Sequence, residues 1–296
     1  MQVLAIREWM VSEGRGFVSS DELSARLSVA PAKLPQVLQP AIDREDLIPV
    51  CKGGWALLQK GGKAHPNIEP RVYLNDMMTH LELDYRVGFG SAARFYGATH
   101  RRTSTTHVVT AARSSHDLRT GPYLRKNAEP YIQIVASRMK YIQPRNRAEQ
   151  LSLFDVEPVI GVWSSHWCGS HEVRYSDPQT TLFGCVDQPR YASGWDNLLN
   201  IIAEFILDEQ VNVEKLAELV HLYPFSTTQR LGVLLDEISE YLEIALSTST
   251  LRSALPQQLK LVPLSAAASG SDTANSAKLN TKWQVLMNTQ IDVDAA

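Results

Sequence analysis

The sequence predicts an α+β protein, with an N-terminal winged helix-turn-helix followed by a larger mixed α/β domain whose C-terminal half is helical. Three observations carry that expectation. Apolar spacing in the first 57 residues follows the order helix, helix, helix, hairpin. Lys60-Gly61-Gly62-Lys63-Ala64-His65-Pro66 then interrupts the pattern as a domain boundary would. Beyond it, short strand-like runs give way to long apolar stretches at helical spacing. The expected domains are residues 1–66 and 67–296.

The elements follow in order. Leu4, Ile6, Trp9 and Met10 recur at helical spacing until Glu13-Gly14-Arg15-Gly16 stops the first helix. Phe17-Val18 reads as a short extended entry, and Ser19-Ser20-Asp21-Glu22 offers a serine N-cap with carboxylates in the first turn of a second helix through Leu23 and Leu27. Val29-Ala30-Pro31 breaks it, and Leu34, Val37, Leu38, Ala41 and Ile42 mark a third helix running to about Glu45. Pro40 lacks an amide, so that helix is expected to be kinked or shortened. Leu47–Cys51 and Trp55–Leu58, flanking Lys52-Gly53-Gly54, form a hairpin. In a winged helix-turn-helix the second helix of the pair enters a major groove. That role falls to the third helix, with Lys33, Gln36, Gln39 and Arg44 as exposed candidates and Lys52 on the wing. Glutamine can pair both edge groups of adenine, and lysine can reach phosphate or guanine. Three short helices and a hairpin also occur in adaptor modules that bind only proteins.

In the larger domain, Tyr73–Leu83 and Gly90–Tyr96 are expected to be helical; Thr106–Ala111, Tyr131–Ser137 and Val159–Trp163 are expected to be strands. Helices are expected over about 177–187, 195–208, 213–222 and 227–246, the last with Leu231, Leu234, Leu235, Ile238, Leu242 and Leu246 on its apolar face. Leu259–Leu264 suggests a strand. A flexible loop is expected at about 265–280 and a terminal strand at about 282–288.

Charge is segregated along the chain although the total is only −3. Residues 86–147 carry 12 Lys/Arg against 2 Asp/Glu, whereas 148–250 carry 4 against 16. A block of this kind either binds a polyanion or folds onto the acidic block and neutralises it. Cys51, Cys168 and Cys185 are odd in number and lack CxxC spacing, which fits reduced thiols rather than a disulfide scaffold. No stretch approaches the roughly 18–20 apolar residues of a membrane span, and charges at Arg7 and Glu8 interrupt any secretory signal, so the expected location is cytoplasmic.

Catalytic constellations are weak. His166, Cys168 and His171 have metal-compatible spacing but lack the fourth ligand of a structural zinc site. Ser164, His166 and Asp177 lack a GxSxG context, and Gly88-Phe89-Gly90-Ser91 is neither GxxxxGK[ST] nor GxGxxG. The expectation is a protein without catalytic residues, metal or cofactor.

Several longer strings resemble the AbiEi antitoxins of type IV toxin–antitoxin systems, which also act as abortive-infection modules in phage defence. In the first domain they are Phe17-Val18-Ser19-Ser20-Asp21-Glu22-Leu23, Arg44-Glu45-Asp46-Leu47-Ile48-Pro49-Val50 and Lys52-Gly53-Gly54-Trp55-Ala56-Leu57. In the second they are Gly90-Ser91-Ala92-Ala93-Arg94-Phe95-Tyr96-Gly97, Ser176-Asp177-Pro178-Gln179-Thr180-Thr181-Leu182, Gln229-Arg230-Leu231-Gly232-Val233-Leu234-Leu235-Asp236 and Lys282-Trp283-Gln284-Val285-Leu286-Met287-Asn288. The resemblance extends over most of the chain.

It implies an N-terminal domain that binds inverted repeats in the promoter of its own operon and represses it. It also implies a C-terminal domain that counters a nucleotidyltransferase-like toxin without a stable complex. Family members often have an arginine-rich recognition helix, whereas residues 33–40 here are poor in charge. Within the basic block, Arg94, Arg101, Arg102, Arg125 and Lys126 are the expected antitoxicity surface. Two further classes share the sequence features: a one-component regulator with a ligand-sensing C-terminal domain, and an enzyme fused to a DNA-binding module.

Overall fold

The computed structural model describes residues 5–44, 46–51, 53–57, 70–101, 105–111, 133–134, 150–156, 162–265 and 278–293. They form a mixed α+β protein with two compact units. Unit 1 comprises residues 1–87, 103–159 and 164–175; unit 2 comprises 88–102, 160–163 and 176–296. The expected boundary at 60–66 lies outside the described residues, and the segments on both sides of it, up to Val87, belong to unit 1.

Unit 1 begins with α1 (Ile6–Ser12), β1 (Phe17–Ser19), α2 (Ser20–Leu27), α3 (Leu34–Asp43), β2 (Leu47–Cys51) and β3 (Gly54–Leu57). The strands form an antiparallel sheet in the order β1-β3-β2. Ile6, Met10, Val18, Leu23, Leu34, Leu38, Ala41, Leu47, Trp55 and Leu57 close one core beneath the three helices. Ser19 is the N-cap of α2 and accepts from the Glu22 N–H at 3.2 Å, the arrangement its sequence calls for. Ser28, at φ 54°, ends that helix in the left-handed conformation.

α3 runs ten residues through Pro40 and ends at Asp43, two residues short of the expected end, and the Arg44 N–H still reaches the Pro40 carbonyl at 3.3 Å. A proline in a helix interior costs about 3 kcal/mol. Burial of Leu34 and Leu38, at about 1.5–3 kcal/mol each, offsets that cost.

The rest of unit 1 contains α4 (Leu74–His80) and a six-stranded sheet ordered β6-β7-β5-β4-β9-β8. Its strands are β4 (Tyr85–Val87), β5 (Thr105–Ala111), β6 (Gln133–Ile134), β7 (Gln150–Val156), β8 (Trp163–Cys168) and β9 (His171–Ser176). β5 runs parallel to β7 from Thr105↔Gln150 to Ala111↔Val156 and antiparallel to β4. The β8–β9 hairpin, turning at Gly169 (φ 67°), replaces the strand expected at 159–163, of which 159–161 lie outside the described residues. Only 133–134 of the strand expected at 131–137 is described.

Unit 2 is mainly helical: α5 (Phe89–Phe95), α6 (Pro178–Asp187), α7 (Trp195–Leu207), α8 (Val213–Leu219), α9 (Phe225–Tyr241) and α10 (Ser249–Ser253). A small sheet ordered β10-β12-β11 completes it, with β10 (Val262–Pro263), β11 (Lys278–Asn280) and β12 (Val285–Met287). The last long helix stops at Tyr241 rather than Leu246. Glu243 is left-handed at φ 56°, and the Ile244 and Glu243 amides return to the Ser239 and Glu240 carbonyls, which is a Schellman ending.

Two further expectations are corrected. Residues 278–280 of the expected loop form β11, because Lys278–Asn280 pair antiparallel with Val285–Met287; 266–277 lie outside the described residues. The terminal strand is only 285–287, because residues 281–284 turn to insert Trp283 into the core.

Cys51 and Cys185 are buried; burial pushes the Cys51 thiol up to about 12 and raises that of Cys185 as well. Cys168 is only partly covered. Native protein at pH 8 is therefore expected to release one equivalent of chromophore rapidly from a disulfide thiol reagent, and two more only on unfolding. Three fast equivalents would contradict the burial.

Candidate nucleic-acid interface

The exposed side of α3 presents Lys33, Pro35, Gln36, Gln39, Pro40, Asp43 and Arg44, while Leu34, Leu38 and Ala41 face the core. Four of the five DNA-binding candidates thus lie along one helix; Lys52 falls outside the described residues. The neighbouring Gly53 is held in place. Gly53 is left-handed at φ 72°, its carbonyl accepts from the Ser20 N–H at 2.7 Å, and the Trp55 indole N–H donates to Ser20 Oγ at 3.2 Å.

The four side chains are not equivalent. Arg44 Nε donates to Asp46 Oδ2 at 2.9 Å, and Asp46 is buried at 6% exposure with Arg7 at 3.8 Å from its other oxygen. Arg44 is therefore engaged by the fold. Gln39 Nε2 donates to Asp43 Oδ1 at 2.7 Å. Neither acidic partner was singled out from sequence, although Asp43 stands at i+4 from Gln39 and Asp46 two residues beyond Arg44.

Behind this face, α1 and α2 are clamped by charge. The Arg26 guanidinium stacks 3.9 Å from the Trp9 ring centroid, and Arg15 lies 5.1 Å from it. Arg15 makes a two-pronged hydrogen bond to Glu22, which raises the Arg15 pKa above its ordinary value and holds the guanidinium charged.

Of the second candidate surface, Arg94 sits half-buried in the last turn of α5, and Arg101 is exposed. Arg102, Arg125 and Lys126 lie outside the described residues. The segment before Arg101 is fixed: the Arg101 N–H donates to Thr99 Oγ1 at 3.2 Å. Thr99 donates to Asn197 Oδ1 at 2.9 Å, and Asn197 Nδ2 to the Ala192 carbonyl at 2.7 Å.

The weak catalytic constellations resolve into local contacts. Ser164 Oγ lies 2.7 Å from His166 Nε2 on β8, while Asp177 N-caps α6 by accepting from the Thr180 N–H at 2.8 Å. Cys168 Sγ is 3.9 Å from the Tyr175 hydroxyl. No group of three or more potential metal ligands is found among the described residues, and no helix among them is long and apolar enough to cross a membrane.

Three of the strings that carry the resemblance are structural in this fold. In Ser176–Leu182, Thr180 Oγ1 accepts from the Val162 N–H at 2.8 Å and Gln179 Nε2 donates to the Gln210 carbonyl at 2.7 Å. In the other two, Gln229, Gly232 and Asp236 on α9 receive Trp283 and its flanking backbone.

A family model described as the AbiEi antitoxin C-terminal domain matches residues 86–237. Among solved structures, the crystal structure of the RV2827C protein from Mycobacterium tuberculosis is similar with a TM-score of 0.61 at 13% identity, covering 96% of this chain and 90% of that one. At that identity the likeness is one of fold. No curated protein matches the chain. Because the family match spans half of the sequence, from β4 into α9, the chain belongs to the AbiEi antitoxin family.

Proposed function

We propose that this antitoxin is also the autorepressor of its own type IV toxin–antitoxin operon. Residues 1–66 act as a winged helix-turn-helix on promoter inverted repeats; residues 67–296 counter a nucleotidyltransferase-like toxin in the cytoplasm without a stable complex. The observation that carries the DNA-binding part is the element order α1-β1-α2-α3-β2-β3 with sheet order β1-β3-β2. That order leaves α3 uncovered along Lys33, Gln36 and Gln39 and ends in a glycine-turned hairpin. A helix so presented suits a major groove, and the hairpin suits the adjacent backbone.

The antitoxin part rests on the family, and the site proposed for it is the basic segment that includes Arg94, Arg101, Arg102, Arg125 and Lys126. The test is rescue of cell growth by co-expression with the neighbouring toxin gene. Alanine at both Arg101 and Arg102 is expected to leave the melting temperature within a few degrees of the parent while weakening rescue; Arg101 is exposed, and an exposed charge contributes only about 0–1 kcal/mol. Undiminished rescue, or an early-melting variant, would remove these arginines from the proposed surface.

A further inference from the structure

Gln39 and Asp43 lie one helical turn apart on the uncovered side of α3, joined by a 2.7 Å hydrogen bond from the Gln39 amide nitrogen to the Asp43 carboxylate. A carboxylate only accepts, so this contact decides which end of the Gln39 amide is nitrogen. It takes one of the two N–H bonds and leaves the second N–H together with Oε1. A donor and an acceptor on one planar amide are what adenine requires in the major groove, where N7 accepts and the N6 amino group donates. Arg44, one of the two cations on this face, is turned onto buried Asp46. The Asp43 carboxylate keeps its charge and would repel a nearby phosphate, so what it can contribute on this face is the hydrogen bond that orients Gln39.

Resting on the proposed DNA-binding role of this domain, we infer that Gln39 is a specificity-determining residue reading one adenine per half-site, and that Asp43 is the positioning residue that sets its amide. The competing role is mechanical. Pro40 deprives the Gln36 carbonyl of its usual helical partner, and a Gln–Asp pair at i, i+4 braces such a helix weakly. The two roles differ in what they change: a brace alters melting, and a reader alters the sequence bound.

The experiment is selection of the full-length chain on a randomised duplex library, followed by competition binding with single-base variants of the selected site, alongside thermal melting. The parent chain is expected to select a site containing an adenine whose replacement weakens binding by about 5- to 150-fold. Gln39→Ala should remove that preference at the one base pair and leave the others. Asp43→Ala should reduce it at the same base pair, and Asp43→Asn, whose amide oxygen still accepts, should restore most of it.

If the parent selects no sequence at all, the DNA-binding reading itself fails. If it selects a site and Gln39→Ala keeps every preference, the readout by Gln39 is overturned. If Gln39→Ala relaxes the adenine but Asp43→Ala does not, the positioning role is overturned; lowered melting with unchanged base preference would leave only the brace.

Discussion

Replacement of Trp283 by alanine is expected to cost about 3–5 kcal/mol, the usual range for removing a fully buried large aromatic, and to unfold unit 2 first. Trp283 is wholly buried, and its environment is built turn by turn along α9. Its ring lies over Gly232, where a Cβ would fall 2.4 Å from the ring edge. Its indole N–H donates to Asp236 Oδ2 at 2.6 Å, and its carbonyl accepts from Gln229 Nε2 at 2.8 Å. Gln229, Gly232 and Asp236 stand at i, i+3 and i+7, so they share one side of the helix.

Lys282 Nζ adds a 2.7 Å contact to Asp236 Oδ2 and another of 2.7 Å to Thr248 Oγ1, linking α9 and the residue that precedes α10 to the turn before β12. Gly232→Ala tests the same packing with the opposite intrinsic sign. In an open helix alanine would gain about 0.5–1 kcal/mol over glycine, but overpacking against a ring typically costs about 1–3 kcal/mol, so a net loss is expected. Asp236→Asn keeps an acceptor for the indole but weakens the partly exposed ion pair to Lys282 and replaces the oxygen that accepts from the buried Thr248 hydroxyl, for which about 1 kcal/mol is expected. Urea unfolding should rank the three in that order. A Trp283→Ala chain within 1 kcal/mol of the parent would contradict this packing.

The same residues show how far the sequence could be read. Leu231, Leu234, Leu235 and Ile238 announced the core helix because apolar periodicity is a local signal, and all four are buried. The use of Gly232 was not announced, because a glycine in a helix looks like a propensity cost until the ring it admits, 51 residues later, is seen. Capping at Ser19 was legible for the same local reason: its hydroxyl accepts from the amide three residues on.

The β8–β9 hairpin was not legible. Trp163-Ser164-Ser165-His166-Trp167-Cys168 leaves Trp167 74% exposed, so it lacks the apolar-in, polar-out alternation by which a strand is recognised. On α3 the exposed candidates Lys33, Gln36, Gln39 and Arg44 followed correctly from the buried stripe. Their carboxylate partners did not: whether Gln39 bonds Asp43 one turn on is a rotamer choice, and the pairing of Arg44 with Asp46 depends on how the backbone turns after Asp43.

Gly16→Ala is expected to destabilise unit 1 by about 3 kcal/mol, the upper end of ordinary overpacking, because the obstacle is backbone on both sides. A Cβ at Gly16 would lie 2.0 Å from the Val72 carbonyl oxygen and 2.7 Å from the Val72 carbonyl carbon, neither of which can rotate away as a flexible side chain could. Gly16 cannot yield either, since its own carbonyl accepts from the Leu57 N–H at 2.9 Å and ties it to β3. The backbone at Gly16 does not require positive φ, so the cost is steric.

Gly14 supplies the control. It is left-handed at φ 63° with its nearest neighbour, Ser170 Oγ, 3.9 Å from the added carbon, so Gly14→Ala carries only the conformational penalty of roughly 1–2 kcal/mol. Hydrogen exchange distinguishes the outcomes by location. Gly16→Ala should lower protection in β1, β3 and α4 together, because Phe17 also packs on His80 with ring centroids 5.6 Å apart, and should leave the α7 and α9 amides of unit 2 protected. If Gly16→Ala proved no more costly than Gly14→Ala, the close approach of β1 to the segment preceding α4 would be wrong. In that case the N-terminal sheet would be held to the rest of unit 1 by side chains alone.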